Sequence, residues 1–170
     1  MERIDVYDIS GEKVIRTAGR DEPLGKDERI LVVHICVFNR CGEMLIQQRQ
    51  LTKDRYPGCW DVSAGGFVKS GESSADAVMR ELSEELGIVC RPADIRFVLR
   101  EPFSYVYDDF YILFSDVRPD ELVLQSREVM SVRWAGRAEV TEMLSSGQFV
   151  DYDGKLMESL FNDGAKQSRT

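Results

Sequence analysis

The stretch 65-GGFVKSGESSADAVMRELSEELGI-88 decides how the rest of the chain is read. Its second half is the clearest helix in the sequence, Ser73 to Leu86, opened by a serine and closed by Gly87. At 3.6 residues per turn, Ala75, Val78, Met79, Leu82 and Leu86 form one apolar stripe. Glu81, Glu84 and Glu85 gather beside that stripe, with Glu81 and Glu85 about 6 Å apart along the axis. Three carboxylates this close repel one another and raise each other's pKa values. A hard divalent cation such as Mg2+ or Mn2+ would relieve that repulsion. A solvated acidic helix face is the simpler reading of the helix alone, since Glu is a strong helix former. The loop in front shifts the balance. Gly65-Gly66 follows a short strand candidate, and glycine permits close backbone approach and left-handed dihedrals, so that a main-chain carbonyl can turn toward an ion.

Working outward, the chain has 170 residues, 22 Lys+Arg against 30 Asp+Glu, and a formal net charge of -8. That length fits one domain with a real core. The longest apolar run, Ile30 to Phe38, is broken by His34 and has strand length, far short of the roughly 18 residues of a membrane span. Glu2, Arg3 and Asp5 do not read as a signal peptide, so a cytoplasmic protein without a membrane partner is expected. The acidic balance weighs against binding a nucleic-acid polymer, yet leaves a small phosphorylated substrate open where a metal reverses the local sign. Cys36, Cys41, Cys59 and Cys90 contain no C-x2-C pair, and His34 is the only histidine, so reduced thiols are expected rather than a zinc site.

Element by element, a first strand around Ile4 and Val6 closes at Ser10-Gly11, and a polar loop spans 17–29. Strands are expected at 31–38, 44–48, 60–63, 95–100, 109–114 and 129–134, with Leu45 and Gln47 sharing one face. A tyrosine-containing loop separates the 95–100 and 109–114 strands. Helices are expected at 73–86, 137–144 and 156–161, with a frayed tail from 163 to 170. This order implies layered α/β architecture, a mixed sheet covered by helices.

The spacing Gly66-x5-Glu72-x7-Arg80-Glu81-Leu82-x-Glu84-Glu85-x-Gly87-Ile88 resembles the signature of the Nudix hydrolases at every position. From average residue usage, a chance match is below roughly one in a million. The resemblance implies an α/β/α sandwich with a central mixed sheet and an N-terminal β-hairpin extension. It implies one domain over 1–170, with an extension at 1–30 and a core at 31–162. It also implies hydrolysis of a nucleoside diphosphate derivative or nucleotide through Mg2+ or Mn2+. Carried over by position, Glu81, Glu84, Glu85 and the Gly65 carbonyl hold metal; Arg80 orients carboxylates; Glu72 braces the loop or joins the site. The general base is a box glutamate or a distal carboxylate, with Glu128 and Asp109 the leading distal candidates, ahead of Glu101 and Glu121.

His34-x3-Phe38, Gly42, Gln47-Gln48-Arg49, Lys53, Pro57-Gly58 and Trp60-Asp61 are similar to the branch related to isopentenyl-diphosphate isomerase. Gly65 and Phe67 stand where those isomerases carry cysteine and histidine, and Cys59 lies on the wrong side of Trp60, so hydrolysis is the better reading. A domain that binds without turnover is the third reading, opposed by the complete glutamate set. Arg49, Lys53 and Lys69 are candidate substrate-phosphate contacts. Phe103, Tyr105 and Tyr107 are candidates for stacking or packing. His34, Trp60 and Trp134 read as structural. The N-terminal strand and C-terminal helices are compatible with a homodimer.

Overall fold

The apolar run noted above becomes the central strand, with side chains alternating between two buried layers. Leu31, Val33, Ile35 and Val37 join one core cluster, and Cys36 and Phe38 join the other. The structure, a computed structural model, describes residues 3–167. In chain order its strands are β1 (Arg3–Tyr7), β2 (Val14–Gly19), β3 (Arg29–Phe38), β4 (Met44–Arg49), β5 (Trp60–Asp61), β6 (Ala64–Phe67), β7 (Ile95–Phe103), β8 (Val106–Phe114) and β9 (Val129–Ala135). The helices are α1 (Ser74–Leu86), α2 (Arg137–Ser145) and α3 (Gly154–Gln167).

All strands belong to one mixed sheet. β3 runs parallel to β8 from Ile30–Val106 to Phe38–Phe114 and antiparallel to β1, β4 and β6. α1 covers one face through Ala77, Val78, Leu82 and Leu86, while α2 and α3 cover the other through Val140, Met143, Met157, Leu160 and Phe161. The result is the expected α/β sandwich with an N-terminal hairpin, β1–β2. Among the described residues no helix is long and apolar enough to cross a membrane.

Helix α1 begins and ends where its sequence says it should. Ser73 caps the N-terminus by accepting the Asp76 N–H at 3.1 Å. Gly87 adopts φ 70° and donates its N–H to the Ser83 carbonyl, the left-handed ending that glycine supplies at no steric cost.

Four expectations are corrected. The polar stretch starting at residue 17 is strand as far as Gly19, because Ala18 lies opposite Ile4 and both are buried. Gly65-Gly66 is not a loop but part of β6, paired with Val33 and His34. The tyrosine loop shrinks to a tight turn at Ser104-Tyr105, so Phe103 and Tyr107 lie on strands. Residues 163–167, expected to fray, continue α3, where Gly164 packs against the Phe38 ring; residues 168–170 lie outside the described residues. All four cysteines are free, with Cys36 buried, Cys59 and Cys90 half-buried and Cys41 exposed.

Leu82 is fully buried between α1 and the sheet. Leu82→Ala is expected to cost about 3 kcal/mol, read as a lower urea midpoint at unchanged slope.

Candidate active site

The guanidinium of Arg80 organises the acidic face of α1. Its Nε and Nη2 grip both oxygens of Glu72 at 2.8 and 2.9 Å. Nη1 donates to Glu81 Oε1 at 2.7 Å and Glu84 Oε2 at 3.3 Å, and Nη2 also reaches the Phe67 carbonyl at 3.0 Å. All five N–H donors are thereby used. Burial works to raise the Glu72 pKa, but Arg80 and the Lys69 N–H overcome it and hold the carboxyl below its ordinary value. Glu72 therefore braces the loop, behind the cleft rather than in it.

Glu81 and Glu85 have the opposite electrostatics. Burial raises the Glu81 pKa against the pull of Arg80. Glu85 was expected beside the apolar stripe, yet the structure buries it to 6% exposure among Ala77, Val78, Leu82 and Leu86. Gln47 Nε2, from β4, donates to Glu85 Oε2 at 2.6 Å. Burial pushes the Glu85 carboxyl up to about 8, and nearby Glu81, Asp61 and Glu128 push the same way.

The two glycines are required for approach, not for left-handed dihedrals; neither has a positive φ. A Cβ on Gly66 would stand 2.3 Å from Glu81 Oε1, and one on Gly65 would stand 2.6 Å from the Val33 carbonyl. The Glu81 carboxylate thus lies directly against the Gly66 backbone.

These groups line one side of an open cleft of about 1050 Å3. Gly65, Gly66, Arg80, Glu81, Glu84 and Glu85 all face it, as do Arg49, Lys53 and Glu128. Each of the three basic residues proposed from sequence as a phosphate contact has an acidic neighbour. Lys53, on the β4–β5 loop, is ion-paired with Glu128, just before β9. Arg49 Nη1 donates to Asp61 Oδ2 at 3.0 Å. Lys69 lies 3.9 Å from Glu84 Oε1 and does not line the cleft. Over the cleft, Arg55 donates to the Tyr105 hydroxyl at 3.1 Å, joining the β4–β5 loop to the β7–β8 turn.

Strand alternation separates the remaining acids. Asp109 points away from the cleft, is 1% exposed, and is held by Arg100 at 2.6 and 2.9 Å and by Ser74 at 2.6 Å. Its neighbour Asp108 faces the cleft in its place, as does Glu101. Glu121 pairs with Arg118 and is exposed. Phe103 and Tyr105 line the cleft, whereas Tyr107 donates to the Ile9 carbonyl at 2.7 Å and packs on Gly11. Trp60 lies under the Arg133 guanidinium, and Trp134 packs against the α1-side core.

The sequence reading missed a polar chain on the cleft floor formed by His34, Asp108, Tyr152, Asp61 and Arg49. These residues come from β3, β8, the segment before α3, β5 and β4. No spacing rule joins positions so far apart in sequence.

Among the described residues, no three Asp, Glu, His or Cys side chains already converge into a ready-made metal-holding group. The donor chemistry nevertheless fits a hard divalent cation. Glu81 Oε2 and Glu85 Oε1 accept no hydrogen bond, and no buried side-chain polar atom lacks a partner among the described residues, so both oxygens open to the cleft. Their burial disfavours ionisation, and a divalent cation would offset that cost.

Comparison with known proteins gives the family. The NUDIX domain model matches residues 28–158. A Nudix hydrolase of Listeria monocytogenes is 37% identical over 162 residues, covering 95% of both chains. One from Pseudomonas aeruginosa is 40% identical over 129 residues, covering 68% of this chain and 73% of the relative. A Deinococcus radiodurans crystal structure superposes with a TM-score of 0.78 at 26% identity, covering 92% of this chain and 98% of that one. The chain belongs to the Nudix family and is a Nudix-type pyrophosphohydrolase acting on a diphosphate-containing substrate.

The raised Glu85 pKa has a stability consequence. The folded state binds a proton more tightly than the unfolded chain, so stability from this group is greatest below about pH 4.5 and declines as pH rises toward 8. Without divalent ions, Glu85→Gln is expected to flatten the decline in melting temperature between pH 6 and pH 8.5. Added Mg2+ should raise the melting temperature of wild type more than that of the variant.

Proposed function

We propose that the chain hydrolyses the diphosphate linkage of a nucleoside diphosphate derivative or nucleotide in the cytoplasm, with Mg2+ or Mn2+ held by Glu81, Glu84, Glu85 and the Gly65 carbonyl. The observation that carries this reading is the pair of open carboxylate oxygens on Glu81 and Glu85 of α1, set in one cleft with Lys53, Arg49 and Glu128. When bound, the metal supplies neutralisation of the diphosphate charge and a lowered pKa for the attacking water. Arg80, with every donor committed, keeps Glu81 and Glu84 in place and does not itself contact substrate. Lys53 and Arg49 supply the positive charge that meets the substrate phosphates. Glu128 takes the proton of the attacking water, its carboxylate freed as Lys53 turns to the phosphate. Lys69 steadies Glu84 from the loop side. Four free thiols support the cytoplasmic setting.

Isomerisation of isopentenyl diphosphate is the second reading, raised by the branch-like residues from His34 to Asp61. Gly65 and Phe67 on β6 supply no group for moving protons on carbon. Cys59, which does not line the cleft, contacts the Gly147 carbonyl at 3.8 Å. The four acidic box residues, all present and engaged as described, also oppose a domain that binds without turnover.

With Mg2+ or Mn2+ in separate reactions, wild type is expected to cleave at least one member of a panel of nucleoside diphosphates, triphosphates, nucleotide sugars and dinucleotides. Isopentenyl diphosphate should be returned unchanged, as judged by chromatography. Glu85→Gln should lose about 100-fold or more in turnover. Near wild-type turnover in that variant would remove Glu85 from the metal set, and isomerised product would favour the second reading.

Gly66→Ala provides an independent check of the close approach. Its Cβ must displace the Glu81 carboxylate, so turnover should fall at least tenfold, with circular dichroism unchanged.

A further inference from the structure

The floor of the cleft carries three polar side chains, His34, Asp108 and Tyr152, that the proposed hydrolysis does not use. The His34 ring stacks on Phe110, centroids 4.7 Å apart and planes 18° from parallel. Its Nε2 faces Asp108 Oδ1 at 3.0 Å. An ionised carboxylate has only lone pairs to offer, so the ring nitrogen donates. The other ring nitrogen lies 3.3 Å from the Tyr152 hydroxyl, which donates to Asp61 Oδ1 at 2.7 Å. Asp61 also accepts the Val62 N–H at 2.8 Å and Arg49. With the Tyr152 proton committed to Asp61, the approach of the ring to that hydroxyl is a contact, and the Nε2 bond to Asp108 is the one the imidazole makes.

Asp108 Oδ2 accepts no hydrogen bond among the described residues, and it is not buried, since every buried side-chain polar atom has a partner. Asp108 lines the cleft. One oxygen is therefore anchored by a stacked imidazole while the other is presented to whatever fills the cleft. Phe67 and Tyr105 line the same space with ring surface.

Building on the reading of the chain as a nucleotide hydrolase, we propose that Asp108, oriented by His34, is a specificity-determining residue accepting a hydrogen bond from a neutral N–H or O–H donor on the non-phosphate part of the substrate. Asp108 stands on β8, across β3 from β6 and its neighbouring α1 glutamates, and a carboxylate without a cation of its own repels phosphate, so this position faces the part of the substrate away from the scissile bond. Anchoring through His34 removes the cost of ordering the acceptor when substrate arrives. A site built to accept such a bond rejects an analogue that lacks the donor, because the acceptor then loses water without gaining a partner. Two sources present this chemistry: an exocyclic amine of a base and a hydroxyl of ribose.

The test compares matched pairs in kcat/KM with Mg2+: ADP against IDP and CDP against UDP for the amine, and CDP against 2′-deoxy-CDP for the hydroxyl. Wild type is expected to favour the member carrying the exocyclic amine or the 2′-hydroxyl in at least one pair by tenfold or more, chiefly through KM. Asp108→Asn keeps an oxygen for His34 but turns an amide N–H toward the cleft, so that preference should fall below threefold or reverse. The pair that responds identifies the source. Equal treatment of every pair by wild type would overturn the proposal. So would an equal loss on both members of each pair in Asp108→Asn, the signature of a purely structural role. If wild type hydrolyses none of these diphosphates, the functional reading fails separately only when the triphosphates, nucleotide sugars and dinucleotides are also left intact. Calorimetric binding of AMP, IMP, CMP, UMP and 2′-deoxy-CMP to wild type then decides the inference. A tenfold preference within a pair upholds it; equal affinities, or no binding, overturn it.

Discussion

Four carboxylate oxygens and one backbone carbonyl converge on the guanidinium of Arg80, and the shape of the acidic site depends on that convergence. The fork joins α1 to the loop before it through Glu72 and to β6 through the Phe67 carbonyl. Glu81 and Glu84 are thereby held together on the Arg80 side of α1. A lysine could supply the charge but not five donors in a plane. With Arg80 so committed, positive charge for the substrate must come from elsewhere in the cleft. In the proposed reaction it comes from the β4–β5 side, where Lys53 and Arg49 pair with Glu128 and Asp61.

The site is unevenly balanced by design of its surroundings. Glu72 is stabilised as an anion and serves as a brace. Glu85, which packs against the core and receives one hydrogen bond from Gln47, resists ionisation. The same helix therefore carries one carboxylate that folding favours in charged form and another that folding penalises. Such penalties are tolerated where function uses them.

Much of the fold could be read from sequence because its signals are local. The cap at Ser73, the stop at Gly87 and the apolar run through β3 each identify an element without reference to distant residues. The glutamate cluster was legible for the same reason, its spacing being internal to one helix. What escaped reading depends on partners far along the chain. The strand character of Gly65-Gly66 comes from pairing with Val33 and His34, which overrides the low strand preference of glycine. The burial of Glu85 depends on Gln47 and the sheet lying over it. Asp109 stands out in the sequence as the opening residue of the expected 109–114 strand, but the strand begins at Val106 and neighbouring residues on it face opposite sides, so Asp108 takes the cleft. Lys53 and Arg49 line the cleft, but their acidic partners lie 75 and 12 residues away, beyond any motif.

The parallel register of β3 with β8 sets the order in which this protein can come into being. Parallel neighbours cannot be joined by a short turn, and here α1 and β4 to β7 all intervene between the two strands. The acidic helix can form early from its own caps and apolar stripe, whereas His34 and Asp108 meet only after that long loop has closed. Closure of distant contacts is the slow part of folding. During synthesis, the chain therefore carries its anionic helix before the His34–Asp108 pair of the cleft floor can close.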